Sequence, residues 1–167
     1  MTASRKDRPG KQGGELVTYI RNNIPFTDTK IPSNLLSNQI ELQITTIHIN
    51  QHKSINLANT YIPPHYSTTS QQQEENDITN YLAYLTSTPD TLLLGYLNAH
   101  SNLWHSSITN HRGDLIEDIL TNSQHIVLNQ NTPTRIPPNK NQQPTSPDIT
   151  TITPNLHAQP TGKPNKL

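Results

Sequence analysis

Asn98 and His100 stand two residues apart just beyond an apolar run, Thr91-Leu92-Leu93-Leu94-Gly95. Three consecutive leucines, entered from Pro89-Asp90 and left through Gly95, predict a short, buried strand. Open α/β folds place their chemistry at the carboxyl end of such strands. Residues two apart on an extended chain share a side, so Asn98 and His100 are expected to face one cleft. Asp148 follows Pro147 and leads into Ile149-Thr150-Thr151-Ile152. It is the only carboxylate on a strand edge next to a Pro-rich loop, and carboxylates at strand ends are the hard oxygen ligands of divalent metals. His100, His105 and His111 raise the question of zinc. Their separations of five and six residues do not match helical ligand spacing, and no Cys or carboxylate cluster joins them.

The elements that must position these groups follow from periodicity. Glu15-Leu16-Val17-Thr18-Tyr19-Ile20 is a strand closed by Asn22-Asn23 and Pro25. Ile40-Glu41-Leu42-Gln43-Ile44 alternates apolar and polar, as a half-buried strand does, and continues to Ile49. Gln51-His52-Lys53 turns the chain, and Ser54 to Ile62 returns as a strand ending at Pro63-Pro64. Ser70 caps a helix, with Gln73 completing a capping box, and Ile78, Tyr81, Leu82 and Leu85 form one helical face. Pro89 ends it. Leu115, Ile116, Ile119 and Leu120 make a second helical stripe behind Gly113. Ile126-Val127-Leu128 is a short strand, Thr132 to Pro147 a Pro- and Asn-rich surface loop, and Asp148 to Ile152 a last strand. From Pro154 the chain is polar, with no closing element expected. Trp104, the one Trp, reads as a packing anchor for its loop, with base stacking as the alternative.

Composition sets the bounds. The 167 residues suit one domain, and 30% hydrophobic residues imply a thin core. Twelve basic and twelve acidic residues give a net charge of zero, so no global field attracts nucleic acid and any contact must be local. With no Cys, disulfides and thiolate metal sites are excluded. No apolar run approaches membrane-spanning length. Met1 to Gly14 is basic, with Arg5, Lys6, Arg8 and Lys11, and lacks the apolar core of a secretory signal. An intracellular protein is expected, nuclear if functional.

Leu94-Gly95-Tyr96-Leu97-Asn98-Ala99-His100, with Leu103-Trp104 and Asn110-His111-Arg112-Gly113 after it, resembles a known signature. It is the G-D-F-N-A-H…L-W…N-x-R-G pattern of the endonuclease/exonuclease/phosphatase superfamily, specifically the endonuclease domain of non-LTR (LINE-type) retrotransposons. The similarity continues through Val127-Leu128-Asn129, Pro133-Thr134-Arg135 and Ser146-Pro147-Asp148. Upstream it includes Gly13-Gly14, Tyr19-Ile20-Arg21, Ile24-Pro25-Phe26 and Asn59-Thr60-Tyr61-Ile62-Pro63-Pro64. The resemblance implies an α/β fold, a four-layer α/β sandwich of the deoxyribonuclease I type, here incomplete at both ends. Residues 1–12 are then expected to be a disordered basic lead-in, 13–153 a partial domain and 154–167 a polar tail.

The resemblance also implies roles. Asn98 would orient a phosphate oxygen through its amide, Tyr61 would donate its hydroxyl to the same group, and Asp148 would hold the catalytic His of a later motif. That later Ser-Asp-His motif is not found, and His157, in Asn155-Leu156-His157-Ala158, lacks the Ser-Asp pair. No Glu matches the metal-binding Glu of the family's opening segment, so no metal ligand is assigned. His100, Arg112 and Arg135 are candidate phosphate or nucleic-acid contacts, with a solvated surface as the alternative for each arginine. Tyr96 stands where the family has Asp. A phenol is neutral at physiological pH, and losing one acid–base group costs about 100- to 10,000-fold in rate. Asp and Tyr codons differ by one base, so decay of a mobile-element copy explains the change.

The expected function is a metal-dependent endonuclease, with Mg²⁺ or Mn²⁺ as cofactor, that nicks DNA in retrotransposition and is impaired here. DNA is the expected partner, with the reverse transcriptase part of a longer element product, and the chain is expected to be a monomer without membrane attachment. The alternative is a non-catalytic nucleic-acid-binding or interaction remnant of that fold.

Overall fold

A computed structural model describes residues 1–7, 15–35, 40–64, 70–139, 141 and 143–157. In chain order its main elements are β1 (Thr2–Asp7), β2 (Glu15–Ile20), β3 (Phe26–Thr29), β4 (Glu41–Asn50), β5 (Lys53–Tyr61) and α1 (Gln71–Ser87). There follow β6 (Thr91–Tyr96), α2 (His111–Asn122), β7 (Ile126–Val127), β8 (Asp148–Ile152) and the short α3 (Pro154–His157). The triple-leucine run is β6, inside a six-stranded sheet of order β3-β4-β5-β6-β8-β7. β5 and β6 run parallel, joined through α1, while β8 runs antiparallel to β6. The carboxyl ends of β5 and β6 therefore share one sheet edge with the start of β8.

The two faces of this sheet differ. On one, Leu42, Ile44, Ala58, Leu93 and Ile149 meet the apolar stripes of α1 and α2. Ile78, Tyr81, Leu82 and Leu85 of α1 are all buried, as the spacing predicts, together with Ile116 and Leu120 of α2. Trp104 joins this core with no exposed surface, and its indole donates to the Ala99 carbonyl at 3.3 Å. It is an anchor, as expected. On the other face lies a two-stranded sheet of β1 and β2, tied on by polar groups. Gln43 Nε2 donates to Ser4 Oγ, which donates to Asp28, and Asn59 Nδ2 reaches the Val17 carbonyl and Thr18. Leu92 and Leu94 on that face stay half-buried.

Several expectations change. Thr2–Asp7 is not a disordered lead-in but a strand, paired residue for residue with Glu15–Ile20. Ser4 on it is buried and finds partners on the large sheet, which the basic composition hid. Gly13-Gly14 and residues 158–167 lie outside the described residues. Phe26–Thr29 adds a strand that Thr-Asp-Thr did not announce, and Pro154–His157 forms a helical turn where a plain tail was expected. Ser70 does cap α1, accepting from the Gln73 N–H, but the Gln73 side chain turns forward to Asp77 at 2.8 Å. The reciprocal half of the capping box is absent. Helices α1 and α2 cover one face of the large sheet and the β1–β2 sheet lies on the other, in keeping with the sandwich expected. No helix among the described residues is long and apolar enough to cross a membrane.

The two ways of holding α1 differ in energy. Leu82, fully buried, is expected to cost about 2–5 kcal/mol on truncation to Ala, through lost transfer energy and the cavity left behind. Ser70→Ala, which removes one exposed cap, is expected to cost about 0.5–2 kcal/mol. Urea denaturation of both variants checks the order, and equal losses would mean that the core around Leu82 is loosely packed.

Candidate active site

At the shared sheet edge the register lines up three of the predicted residues. Tyr61 pairs with Tyr96 across β5–β6, and Tyr96 pairs with Asp148 across β6–β8. Paired residues project from the same face, so the three half-buried side chains form a row across three strands. The Tyr61 and Tyr96 rings lie 6.0 Å apart, tilted by 34°, within the range of favourable aromatic pairs.

Asn98 lies two residues past Tyr96, in the left-handed region at φ 49°. Asn tolerates that conformation better than most L residues, and a β-branched residue there would be strained. The turn carries its side chain back towards β5, where Nδ2 donates to the Ile62 carbonyl at 2.8 Å. Leu97 is fixed from the other side, its N–H donating to the Pro147 carbonyl at 3.0 Å. Through Leu97 and Asn98 the ends of β5, β6 and β8 are thus bonded to one another.

The motif Asn110-His111-Arg112-Gly113 holds this turn from below. Asn110 Oδ1 caps α2 by accepting from the Gly113 N–H, and accepts as well from the His100 N–H at 3.0 Å. The Asn110 N–H in turn donates to the His100 carbonyl. A Cβ on Gly113 would stand 1.7 Å from that carbonyl oxygen, so only glycine lets the helix come this close. Arg112 is buried, with 8% exposure. Its Nη1 donates to the carbonyls of Pro63 and Leu97, each at 2.9 Å, while Nε and Nη2 engage Glu74 of α1. The expectation that Arg112 contacts phosphate is therefore corrected: its donors are already committed beneath the site.

His100 lies within reach of the Arg135 charge. His100 Nδ1 lies 3.0 Å from Ser106 Oγ, and the ring is half-buried. Burial holds its pKa below the usual imidazole value, and the Arg135 charge lowers it further. Arg135, exposed, is held by a two-way backbone bridge to Thr145. A cavity of about 400 Å³ opens beside Asn98 between the first turns of α1 and α2, lined by Gln71, Glu75, His111 and Leu115 among others. Glu75 and His111 pair across its mouth at 2.6 Å, and that hydrogen bond is the main cause lowering the Glu75 pKa.

Sequence reasoning missed Glu74 and Glu75. Glu74 carried a usable signal: it sits four residues before Ile78 on the same helical face, and a charge on a buried stripe implies a buried partner. A metal finds little here. Mg²⁺ prefers an octahedron of oxygens with one or two carboxylates. The row offers Asp148, with Glu41 opposite Tyr61 one strand further on, and among the described residues no three His, Asp or Glu side chains converge. The described residues do not by themselves form a complete metal site. What the arrangement offers is an amide, two phenols, two carboxylates and the exposed Arg135, enough to contact a phosphate backbone.

The class follows from an α/β sheet with α1 and α2 on one face and polar and aromatic side chains at its strand ends. The family model for endonuclease-reverse transcriptase matches residues 55–166, and the chain belongs to that family. The match runs through the segment expected to be a polar tail. Among solved structures, the endonuclease domain of TRAS1, a telomere-specific non-LTR retrotransposon, superposes with a TM-score of 0.71. Identity is 17%, over 93% of this chain and 68% of that one, and the deoxyribonuclease I-like fold is shared. No curated protein matches the chain.

Two outcomes are expected from this geometry. Gly113→Ala should destabilise by about 1–3 kcal/mol or more, because the added methyl meets a backbone carbonyl that cannot rotate away; thermal melting tests it, and an unchanged midpoint would show that α2 can back off. The pH dependence follows from His100 and His125. Burial lowers the pKa of both, with the interaction of the His125 ring with the Thr86 backbone partly opposing this. Folding then favours the neutral rings, so their contribution is present above the unfolded value of about 6.5 and is lost as pH falls below it. Melting between pH 7.5 and 5.5 should show this loss, reduced in His125→Gln.

Proposed function

We propose that this chain is the endonuclease domain of a non-LTR retrotransposon, with DNA as its substrate and cleavage impaired by Tyr96. The observation that carries the reading is the row Tyr61–Tyr96–Asp148 beside Asn98 at one sheet edge. Family membership supports a nuclease ancestry, and the TRAS1 domain supplies the retrotransposon context. In this reading Asn98 orients a phosphate oxygen, Tyr61 donates to it, and His100 and Arg135 contact the backbone. The reverse transcriptase part of a longer element product is the natural partner, and Mg²⁺ or Mn²⁺ the cofactor of an intact site. Tyr96 brings no charge to hold a metal or take a proton from water, which leaves Asp148 and, opposite Tyr61, Glu41 as the carboxylates of the row.

A second reading is favoured by the ring pair itself. Tyr61 and Tyr96 at the sheet edge, with Arg135 exposed nearby, suit contact with a nucleic-acid strand without cleavage.

Nicking of supercoiled plasmid in Mg²⁺ tests both. The chain as it stands should nick little or not at all. Tyr96→Asp should raise the rate on the order of 100-fold, and adding Asn98→Ala should remove the gain. Efficient nicking by the unaltered chain, abolished by Asn98→Ala, would overturn impairment. If no version nicks, binding whose log affinity falls linearly with log salt concentration would favour the second reading.

A further inference from the structure

We infer that Arg112 is a positioning residue for the strand-end site, tying the backbone that carries Tyr61 to the backbone that carries Asn98. The inference rests on the nuclease reading only for what the site does, not for the geometry.

Arg112 Nη1 has two hydrogens, and each finds a carbonyl at 2.9 Å. One belongs to Pro63, two residues after Tyr61; the other belongs to Leu97, immediately before Asn98. These carbonyls lie just past the ends of β5 and β6, where the ladder has run out. The last rung is the Ile62 N–H to the Tyr96 carbonyl at 3.0 Å, and beyond it Arg112 supplies the link that a further strand residue would have made. Both backbone polar groups of Leu97 are held, since its N–H donates to the carbonyl of Pro147, the residue before Asp148. One guanidinium nitrogen therefore acts on the segments bearing Tyr61, Asn98 and Asp148 together.

The placement makes little sense for the helix alone. Arg112 lies in the first turn of α2, where the helix dipole disfavours a cation. Glu74 offsets this, taking Nε and Nη2 and leaving Nη1 for the carbonyls. Lysine would keep the charge and the pairing with Glu74, but its ammonium cannot present a planar fork to a carboxylate on one side and two carbonyls on the other.

Amide hydrogen exchange on the full chain tests this. In Arg112→Lys the protection of the Ile62 and Leu97 amides should fall on the order of tenfold or more, while Leu42, Ile44 and Leu82 keep theirs. Unchanged protection at Ile62 and Leu97, or an equal fall at every amide, would overturn the inference, the second because it would mark a general loss of stability. If Arg112→Lys does not fold, Glu74→Gln replaces it: release of the guanidinium from its anchor should loosen Ile62 and Leu97 selectively, and wild-type protection there would overturn the inference. In a Tyr96→Asp background that nicks DNA, Arg112→Lys should lower kcat with little change in KM, since it moves groups that act in the transition state; a change in KM alone would count against positioning. A Tyr96→Asp chain that does not nick counts against the nuclease reading, and the exchange pattern still decides the role of Arg112.

Discussion

The close approach of α2 to the turn at residues 97–100 is the constraint on which the site depends. A six-stranded sheet fixes strands well along their length and poorly at their ends, where the ladder stops. Here the first turn of α2 takes over. Asn110 bonds both polar groups of the His100 backbone, Arg112 takes the Leu97 carbonyl, and Gly113 lets the helix come within reach. The cost is a buried guanidinium. A buried ion pair that loses one partner is typically destabilised by about 3–5 kcal/mol, so Glu74 and Arg112 each need the other. α1 and α2 are therefore coupled through charge at their first turns as well as through apolar packing at their later ones.

The same economy of apolar residues shapes the rest of the molecule. With 30% hydrophobic residues the chain fills one side of its large sheet and not the other. The helix-covered face is a conventional core. Between the two sheets the contacts are hydrogen bonds around Ser4, Gln43, Thr45 and Asp28, with Leu16 and Ile20 as the apolar complement. Such a network is directional: it specifies the register of β1 and β2 over β4 but adds little net energy per bond, because water is an equal partner in the unfolded chain.

The sequence made the helix-covered half legible because its signals are periodic. The stripes in α1 and α2, the alternation in β4 and the leucines of β6 each point to one face, and the structure buries those residues. The site was partly legible for a different reason. Tyr61, Tyr96 and Asp148 each lie at a strand end that can be read from its flanking prolines or glycine, but their alignment depends on register between strands far apart in the chain. The role of Arg112 was misread because an arginine in a polar helical turn carries no mark of burial; only the partner carboxylate on another helix reveals it. β1 was missed because its strand pattern is written in Ser, Arg and Lys, whose buried member is satisfied by side chains from the other sheet.

A neutral residue at position 96 has a physical consequence for the strand ends. An aspartate at that position would lie directly opposite Asp148 on the neighbouring antiparallel strand, and like charges in that arrangement destabilise a sheet. Two such carboxylates are tolerable when a cation lies between them, so a metal site is stable in the presence of its metal and strained without it. A tyrosine removes the repulsion and gains a ring contact with Tyr61. With tyrosine at this position the strand end needs no cation, and Asn98, the Leu97 turn and the Arg112 staple are bonded in place beside it. The bonds that hold these strand ends run through Leu97, Asn98 and Arg112 and none of them through the side chain at position 96, so the scaffold does not depend on which residue stands there.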